Sequence, residues 1–252
     1  MNKIVLTGGP CGGKSATLAS IDKNYKKEGH NFYLIDETAT TLFINEFNKI
    51  LINGQSISKF DFQTFIFLVQ FIKEYNAETD FLYKGNGNKS TIICDRGLLD
   101  GKAYMNNSDF KNMLKKFNLD ESFLLKTYSV VFHLTSIYFK DKDFFKEHRP
   151  FAVDDVLDID YNLWEIWKKC PNHFIVPITN SIEEKINIMY KYLDDVIDYN
   201  SPMLHDFYNE IDFKYMRGYL RELFDYYSNN TSSEDKAKIL KLHNYYKERN
   251  IV

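Results

Sequence analysis

The sequence predicts an α/β protein of three layers, in which helices cover both faces of a five-stranded parallel sheet. Five short apolar runs recur along the 252 residues, and segments long enough for helices separate them. Such alternation is typical of parallel sheets covered on both faces. A glycine-rich turn follows the first run, and ligands bind at the carboxyl ends of the strands in sheets of this kind. We therefore expect the functional residues to follow the strands.

The predicted strands are rich in β-branched and aliphatic residues and end at glycine or polar residues. In chain order they are KIVLTG, NFYLIDE, STIICDRG, YSVVFHLTS and HFIVPIT. Two helices are predicted between the second and third strands, and the second of them, SKFDFQTFIFLVQFIKEYNAETDFLY, is apolar nearly all round its middle and is expected to be buried. Between the fourth and fifth strands, YFKDKDFFKEHRPFAVDD mixes charges with aromatic residues and Pro150, and we interpret it as a mobile flap.

After Ser201-Pro202 the pattern becomes purely helical. Two helices are predicted there, separated by Asn229-Asn230-Thr231. We therefore expect a domain of residues 1–196 that contains the sheet, and a helical extension of residues 197–252 packed on it. No motif assigns a function to the extension.

Charge and composition argue against several classes of function. The net charge of −3 offers no positive footprint for duplex nucleic acid or for an anionic membrane. No run approaches the roughly 20 apolar residues of a membrane span. The three cysteines are widely spaced and fit no metal-binding pattern, which favours a reduced compartment. We expect a cytoplasmic protein, and self-association into a homo-oligomer is compatible with this composition.

The most specific motif is GGPCGGKS, in which Gly8 and Gly13 stand five apart and Lys14-Ser15 follows directly. This is the pattern of a P-loop, in which backbone N–H groups wrap the phosphates of a nucleotide, the lysine reaches the outer phosphates and the hydroxyl binds Mg²⁺. The helix that begins here adds its positive dipole. We predict a P-loop NTPase fold whose nucleotide-binding residues are Gly8, Gly9, Pro10, Cys11, Gly12, Gly13, Lys14, Ser15 and Ala16.

The residues after the third strand narrow the class of P-loop protein. A hydrolytic motor usually carries two carboxylates there, but Asp95 is followed by Arg96. A GTP switch of the Ras type reads guanine with an Asn-Lys-x-Asp sequence, and the matching position of GNGNKSTII is Thr91. Neither signature is present, although guanine could bind by other means.

A kinase acting on a small hydroxyl needs magnesium, an acceptor for the hydroxyl proton and positive charge on the transferring group. Ser15 and Asp95 are candidates for the metal, Glu37 for the proton, and Arg96 and Arg149 for the charge. Two alternatives remain open from the residues. Asp36 and Glu37 could be a pair of solvated loop carboxylates, and Arg149 could be one of several solvated basic residues in the flap.

Gln63, Phe67 and Gln70 lie on one face of the long aromatic helix. Buried amides must find partners, so two of them facing a pocket indicate recognition of a polar ring or sugar, with Phe67 stacking between them. The alternative is that these three residues and Glu74 form a water-exposed stripe.

As a set, the motifs resemble the P-loop ATPase-like family that joins the ribosylnicotinamide kinase domain of the bacterial NAD regulator to the TRPL translocation defect protein, over residues 1–196. The resemblance is carried by KIVLTGGPCGGKS, DETAT, FQTFIFLVQ, DRGLLDGKAYM, the arginine of EHRP and ITNSIEEKI. The wider group includes deoxynucleoside and thymidylate kinases, whose acidic-Arg pair and Gln-bearing helix are similar to Asp95-Arg96 and Gln63.

The resemblance implies a nucleotide-kinase-like fold, an acceptor side built from Glu37, Asp95 and Arg96, and an arginine-bearing lid that Arg149 matches best. Eukaryotic members continue into a β-rich domain where this chain has only helices, so their GTP and phospholipid roles are not carried over.

The leading hypothesis is an Mg²⁺-dependent phosphotransferase that moves the γ-phosphate of ATP or GTP onto a nucleoside-like small molecule. The competing hypotheses are a nucleotide-binding switch that acts through a protein partner and a slow NTPase.

Overall fold

The computed structural model describes residues 2–25, 29–45, 47–52, 55–84, 89–137, 140–141, 156–197 and 211–252. Its main sheet has five parallel strands in the order β2-β5-β1-β6-β7, which confirms the predicted sheet. These strands are β1 (Asn2–Thr7), β2 (His30–Ile35), β5 (Lys89–Asp95), β6 (Val130–Leu134) and β7 (His173–Val176).

Nine α-helices are described in the same parts of the chain. They are α1 (Lys14–Asn24), α2 (Thr38–Ile44), α3 (Lys59–Lys84), α4 (Asn107–Lys116), α5 (Glu121–Lys126), α6 (Val156–Trp167), α7 (Ile182–Val196), α8 (Phe213–Asn229) and α9 (Ser233–Glu248). None of the helices in the described ranges has both the length and the apolar character needed to cross a bilayer.

The connection between β2 and β5 contains more than the two predicted helices, which correspond to α2 and α3. A 3-10 helix spans Phe47–Lys49, and a short antiparallel hairpin pairs β3 (Leu51–Ile52) with β4 (Gln55–Ser56). Strands of two residues leave too short a pattern to be detected from sequence.

Helices cover both faces of the sheet because side chains alternate along each strand. Ile4, Leu6 and Ile93 pack in one buried cluster with residues of α1 and α7. Val5 and Cys94, which pair across β1 and β5, pack in a second cluster with residues of α3 and α6. The three central strands β1, β5 and β6 are therefore buried on both sides, whereas the edge strands β2 and β7 are partly exposed.

The C-terminal helices α8 and α9 belong to the second of these clusters. Phe224 of α8 lies with its ring 4.9 Å from that of Phe65 on α3, centroid to centroid. The Tyr227 hydroxyl donates to Asp61 Oδ2 at 2.6 Å, and both residues lie on helices of the same layer. These helices are thus packed against α3 through core residues.

The flap predicted around Pro150 lies mostly outside the described residues. Arg149 is among the residues that the structure does not describe.

Acid is expected to destabilise the fold through His173. Burial of its ring, together with the charge of neighbouring His133, lowers the pKa of His173 from 6.5 to about 4. Because the unfolded chain binds a proton that the folded chain does not, the free energy of unfolding falls as the pH drops from about 6.5 towards 4. Urea unfolding at pH 7 and pH 4.5 measures how much of the free energy of unfolding is lost on acidification. This loss should be smaller for His173→Gln than for the unmodified chain, and equal losses would contradict the prediction.

Candidate active site

The P-loop lies at the carboxyl end of β1, the central strand, and leads directly into α1. Gly8 has a φ of 121°, and a Cβ added there would lie 2.3 Å from the carbonyl oxygen of Leu134. Gly13, at the start of α1, has a φ of 85°. L-residues rarely adopt these backbone conformations, so glycine is required at both positions. The motif glycines therefore let the loop curl against the end of β6.

Lys14 is buried, with 6% of its surface exposed, and its ammonium group bonds the loop itself. Its Nζ donates to the carbonyl oxygens of Gly8 at 2.9 Å and Gly9 at 2.8 Å. Burial is the main cause that lowers the pKa of Lys14 to about 8, and the positive charge of nearby Arg96 is the second. Within the described part of the chain, its hydrogen bonds go to these two neutral carbonyl groups, and the outer phosphates of a nucleotide would offer it negatively charged acceptors instead.

Removing this ammonium is expected to weaken nucleotide binding. Lys14→Ala should raise the Kd for ATP or GTP roughly 10- to 100-fold, because one charge-assisted contact to phosphate is lost. Calorimetric titration measures the change. Lys23→Ala, an exposed lysine in the last turn of α1, is the matched control and should bind as the unmodified chain does. Equal affinity in the two variants would exclude Lys14 from the site.

Two side chains distant in sequence, Asp160 and Lys185, bond the P-loop directly. Asp160 Oδ1, on α6, accepts the backbone N–H of Gly9 at 2.5 Å and lies 3.1 Å from His133 Nε2. Lys185 Nζ, on α7, donates to the Gly12 carbonyl at 3.0 Å. Neither contact was predicted from the sequence. The detectable signal was a charge on an otherwise apolar helix face, since Asp160 stands among Val156, Leu163 and Trp167 on the buried face of α6.

Ser15 and Asp95 form the part of the site that suits a magnesium ion. Ser15 Oγ donates to Asp95 Oδ2 at 2.8 Å. Asp95 is buried, and its Oδ1 has no hydrogen-bond partner among the described residues. Burial raises the pKa of this carboxyl, and the nearby charge of Lys14 opposes the rise. A hydroxyl and a carboxylate oxygen with an unfilled acceptor atom are donors that Mg²⁺ prefers, so the two residues fit the metal that the P-loop pattern implies.

Arg96 and Glu37 meet at the end of β5 and β2. Arg96 Nε donates to Glu37 Oε1 at 2.9 Å, and its Nη1 donates to the Gly8 carbonyl at 3.2 Å. The arginine therefore lies between the P-loop and the carboxylate. The alternative of a solvated carboxylate holds for Asp36, whose side chain is 64% exposed and pairs with Lys73. It does not hold for Glu37, whose side chain is 19% exposed and pairs with Arg96.

Glu37 is ionised across the physiological range. Burial by itself raises the pKa of this carboxyl, but the charge of Arg96, the hydrogen bonds from Thr40 and Arg96, and the charge of Lys14 together lower it to about 2. In this arrangement Glu37 is an acceptor of hydrogen bonds and a weak base.

Asp100 is a further residue of the site that was not predicted from the sequence. Its carboxylate accepts from Thr7 Oγ1 at 3.0 and 3.1 Å, from Trp167 Nε1 at 2.7 Å and from Arg96 Nη1 at 3.3 Å. It is 3% exposed and follows two leucines. A carboxylate four residues after Arg96 within an apolar turn was the available signal. Asp100 ties the arginine to the core.

A cavity of about 370 Å³ joins the P-loop to the face of α3. Gln63, Phe67 and Gln70 all line it. They and Glu74 are between 0% and 8% exposed, so the alternative of a water-exposed stripe is wrong. The aromatic and apolar lining residues include Phe43, Phe62 and Ile66, while Tyr104 lies beside Arg96, whose guanidinium carbon is 5.7 Å from the centre of its ring.

Solved structures with a similar chain path include two kinases. Thymidylate kinase from Ehrlichia chaffeensis shares 15% identity at a TM-score of 0.46, over 78% of this chain and 98% of that one. Deoxyadenosine kinase from M. mycoides, solved with dCMP and dCDP as products, shares 20% identity at a TM-score of 0.45, over 77% of this chain and 99% of that one. A third, APE1195, shares 13% identity at a TM-score of 0.36, over 78% of this chain and 96% of that one.

No curated protein matches the sequence. A protein-family profile described as AAA domain does match it, over residues 3–185, which is most of the chain and includes the P-loop, Glu37, Asp95 and Arg96. The chain therefore belongs to this AAA domain family of P-loop proteins.

Proposed function

We propose that this protein is an Mg²⁺-dependent phosphotransferase that moves the γ-phosphate of ATP or GTP onto a hydroxyl of a nucleoside-like small molecule. The observation that carries the proposal is the central cavity. The P-loop forms one part of its lining, the Glu37–Arg96 pair lies beside the P-loop, and aromatic side chains together with the amides of Gln63 and Gln70 form the rest.

On the donor side, the P-loop backbone and Lys14 bind the phosphates at the N-terminus of α1. Ser15 and Asp95 would hold Mg²⁺, which would offset the negative charge of the phosphates when bound. Asp160 and Lys185 keep the loop in the shape that this binding requires, since each bonds one of its peptide groups.

On the acceptor side, Glu37 accepts the hydrogen bond of the attacking hydroxyl. The hydroxyl oxygen bonds to the γ-phosphorus, the bond from that phosphorus to the bridging oxygen breaks, and the proton passes to Glu37 or to the transferred phosphoryl group. A weak base is adequate, because phosphoryl transfer depends mainly on positioning and charge stabilisation. Arg96 contributes positive charge between the two substrates.

The side chains that line the cavity favour an unphosphorylated acceptor. Phe67 is 3% exposed and offers a ring face, and Gln63 offers an amide for which the described residues provide no recorded hydrogen bond. Among the described residues that line the cavity, the cations are Lys14 and Arg96, both at the P-loop end. The phosphate of a nucleoside monophosphate would be the attacking group and would lie at this same end, so Lys14 and Arg96 would have to neutralise both substrates. Two cations suit an acceptor that attacks through an uncharged hydroxyl.

The narrower resemblance, to the ribosylnicotinamide kinase domain of the NAD regulator, is part of this proposal. It makes ribosylnicotinamide one named candidate among the nucleoside-like acceptors.

Transfer of label from γ-labelled ATP or GTP tests the proposal. The purified protein is incubated with magnesium and a panel of nucleosides, ribosylnicotinamide and nucleoside monophosphates. We expect label on at least one unphosphorylated acceptor. Tight nucleotide binding with no transfer and only slow release of phosphate would overturn the kinase and favour a switch. Label on monophosphates alone would keep the kinase and overturn the preference for an unphosphorylated acceptor.

A further inference from the structure

We propose that Gln70 is a positioning residue, held by Glu74, that fixes Glu37 and Arg96 relative to each other. The inference rests on the proposed function, because it assigns Gln70 a role in organising the acceptor side of that same site. It gives the residue a different task from direct contact with the acceptor.

The Gln70 amide makes three hydrogen bonds within the protein. Its Oε1 accepts from Thr38 Oγ1 at 3.1 Å. Its Nε2 donates to Glu74 Oε1 at 3.0 Å and to the carbonyl oxygen of Arg96 at 3.2 Å. Since an amide has two N–H groups, both are already donated. Gln70 therefore reaches two neighbouring strand ends at once.

The orientation of this amide is determined by Glu74, which is fully buried. Lys3 Nζ donates to Glu74 Oε2 at 3.0 Å, and an ammonium has no acceptor. The Tyr128 oxygen accepts the N–H of Leu98 at 2.9 Å, so its hydrogen is free to point towards Glu74, whose oxygens lie 2.9 and 3.0 Å away. Because donors surround the carboxylate, Gln70 must present its NH₂ group to it. A flipped amide would place two acceptors against each other.

This orientation matters because Arg96 has an unusual backbone. Its φ of 81° is in the left-handed region, where residues other than glycine are uncommon. Its N–H donates to the Leu6 carbonyl at 3.0 Å, and its own carbonyl is held by Gln70. Both peptide groups that flank the strained residue are thus fixed, which aims the guanidinium at Glu37 and Gly8.

The other bond of Gln70 acts on the carboxylate side of the pair. Thr38 is the first residue of α2 and directly follows Glu37. Holding the Thr38 hydroxyl fixes the start of α2, where Glu37 is the N-cap residue. One amide therefore sets the separation between the acceptor carboxylate and the arginine. Gln63, seven residues earlier on the same helix, has no such bonds recorded among the described residues and remains available to an acceptor.

A double variant that exchanges the side chains of Gln70 and Glu74 distinguishes this positioning role from simple packing. Gln70→Glu places two carboxylates against each other and lowers stability. The double variant Gln70→Glu/Glu74→Gln restores an amide-to-carboxylate bond and the acceptor for Thr38, but it leaves no hydrogen to donate to the Arg96 carbonyl. We expect the exchange to recover part of the Tm that Gln70→Glu loses, because Lys3 then faces a neutral amide at position 74 but keeps its ion pair with Glu78. The kcat should stay lowered roughly tenfold or more, with the nucleotide Kd unchanged.

A second measurement does not depend on turnover. It follows the hydrogen exchange of the Arg96 side-chain Nε–H with solvent by ¹⁵N NMR, with the signal assigned by comparison with Arg96→Lys. This hydrogen should exchange more slowly in the unmodified chain than in the double variant Gln70→Glu/Glu74→Gln. Gln70→Met, which removes the amide without adding charge, should show the same faster exchange and serves if Gln70→Glu does not fold.

Recovery of kcat in the exchange variant, or unchanged Arg96 Nε–H exchange in Gln70→Met, would overturn the inference. A rise in the KM for the acceptor with kcat unchanged would instead identify Gln70 as a direct contact, which also overturns it. If the unmodified protein transfers no phosphate, the proposed function fails, and the Arg96 exchange measurement still decides the role of Gln70.

Discussion

Glu37→Gln is expected to slow phosphoryl transfer by roughly two orders of magnitude or more, the usual effect of removing a group that accepts a proton. The amide oxygen of glutamine can still accept from Arg96 Nε, so the arginine stays in place. What is lost is the negative charge that orients the attacking hydroxyl. The affinity for nucleotide should change little, because Glu37 lies on the acceptor side of Lys14. Single-turnover label transfer and calorimetric titration measure the two quantities separately.

Asp36→Asn is the matched control for this variant. Asp36 is the adjacent carboxylate, but it is largely exposed and pairs with Lys73 outside the cavity. Its rate should stay within a few-fold of that of the unmodified chain. Equal rates for Glu37→Gln and the unmodified chain would remove Glu37 from the chemistry, and an equal loss in both variants would indicate a general effect of charge.

Phe224→Ala is expected to lower the free energy of unfolding by about 3–5 kcal/mol, as truncation of a buried phenylalanine does. Phe224 is 1% exposed, and its ring lies 4.9 Å from that of Phe65 and 6.3 Å from that of Phe47. The loss should appear in a single cooperative urea transition that includes the sheet, because α8 shares a core with α3.

Tyr226→Ala, on the same helix but 54% exposed, should cost less than about 1 kcal/mol. Two separate transitions, with only the first shifted by Phe224→Ala, would show that the extension unfolds independently.

Because α8 and α9 cover core residues, deletion of the extension is a poor test of a partner-binding role, and substitutions on its exposed face are preferable.

Local patterns were sufficient to predict the sheet and the P-loop. The strands are apolar because both faces are covered, and that burial is visible in runs such as IVL and VVF. The P-loop is contiguous, so its glycines and Lys14 needed no knowledge of the fold. The β3–β4 hairpin is too short to produce a pattern.

The contacts that hold the site together were beyond the reach of sequence. Asp160 is 151 residues from Gly9, and Lys185 is 173 residues from Gly12. Nothing local in either segment indicates which loop the charge will meet. Gln70 lines the cavity from α3, but its hydrogen bonds to Thr38 and Arg96 depend on two segments distant in sequence.

The packing of α8 against α3 has a consequence for how the chain matures during synthesis. Asp61 and its partner Tyr227 are 166 residues apart, so α3 emerges from the ribosome long before the helix that covers it. At 5–20 residues per second the delay is roughly ten to thirty seconds. During that interval the aromatic face around Phe65 is open to water and to other nascent chains. The part of the core between α3 and α8 can therefore close only after α8 has been synthesised.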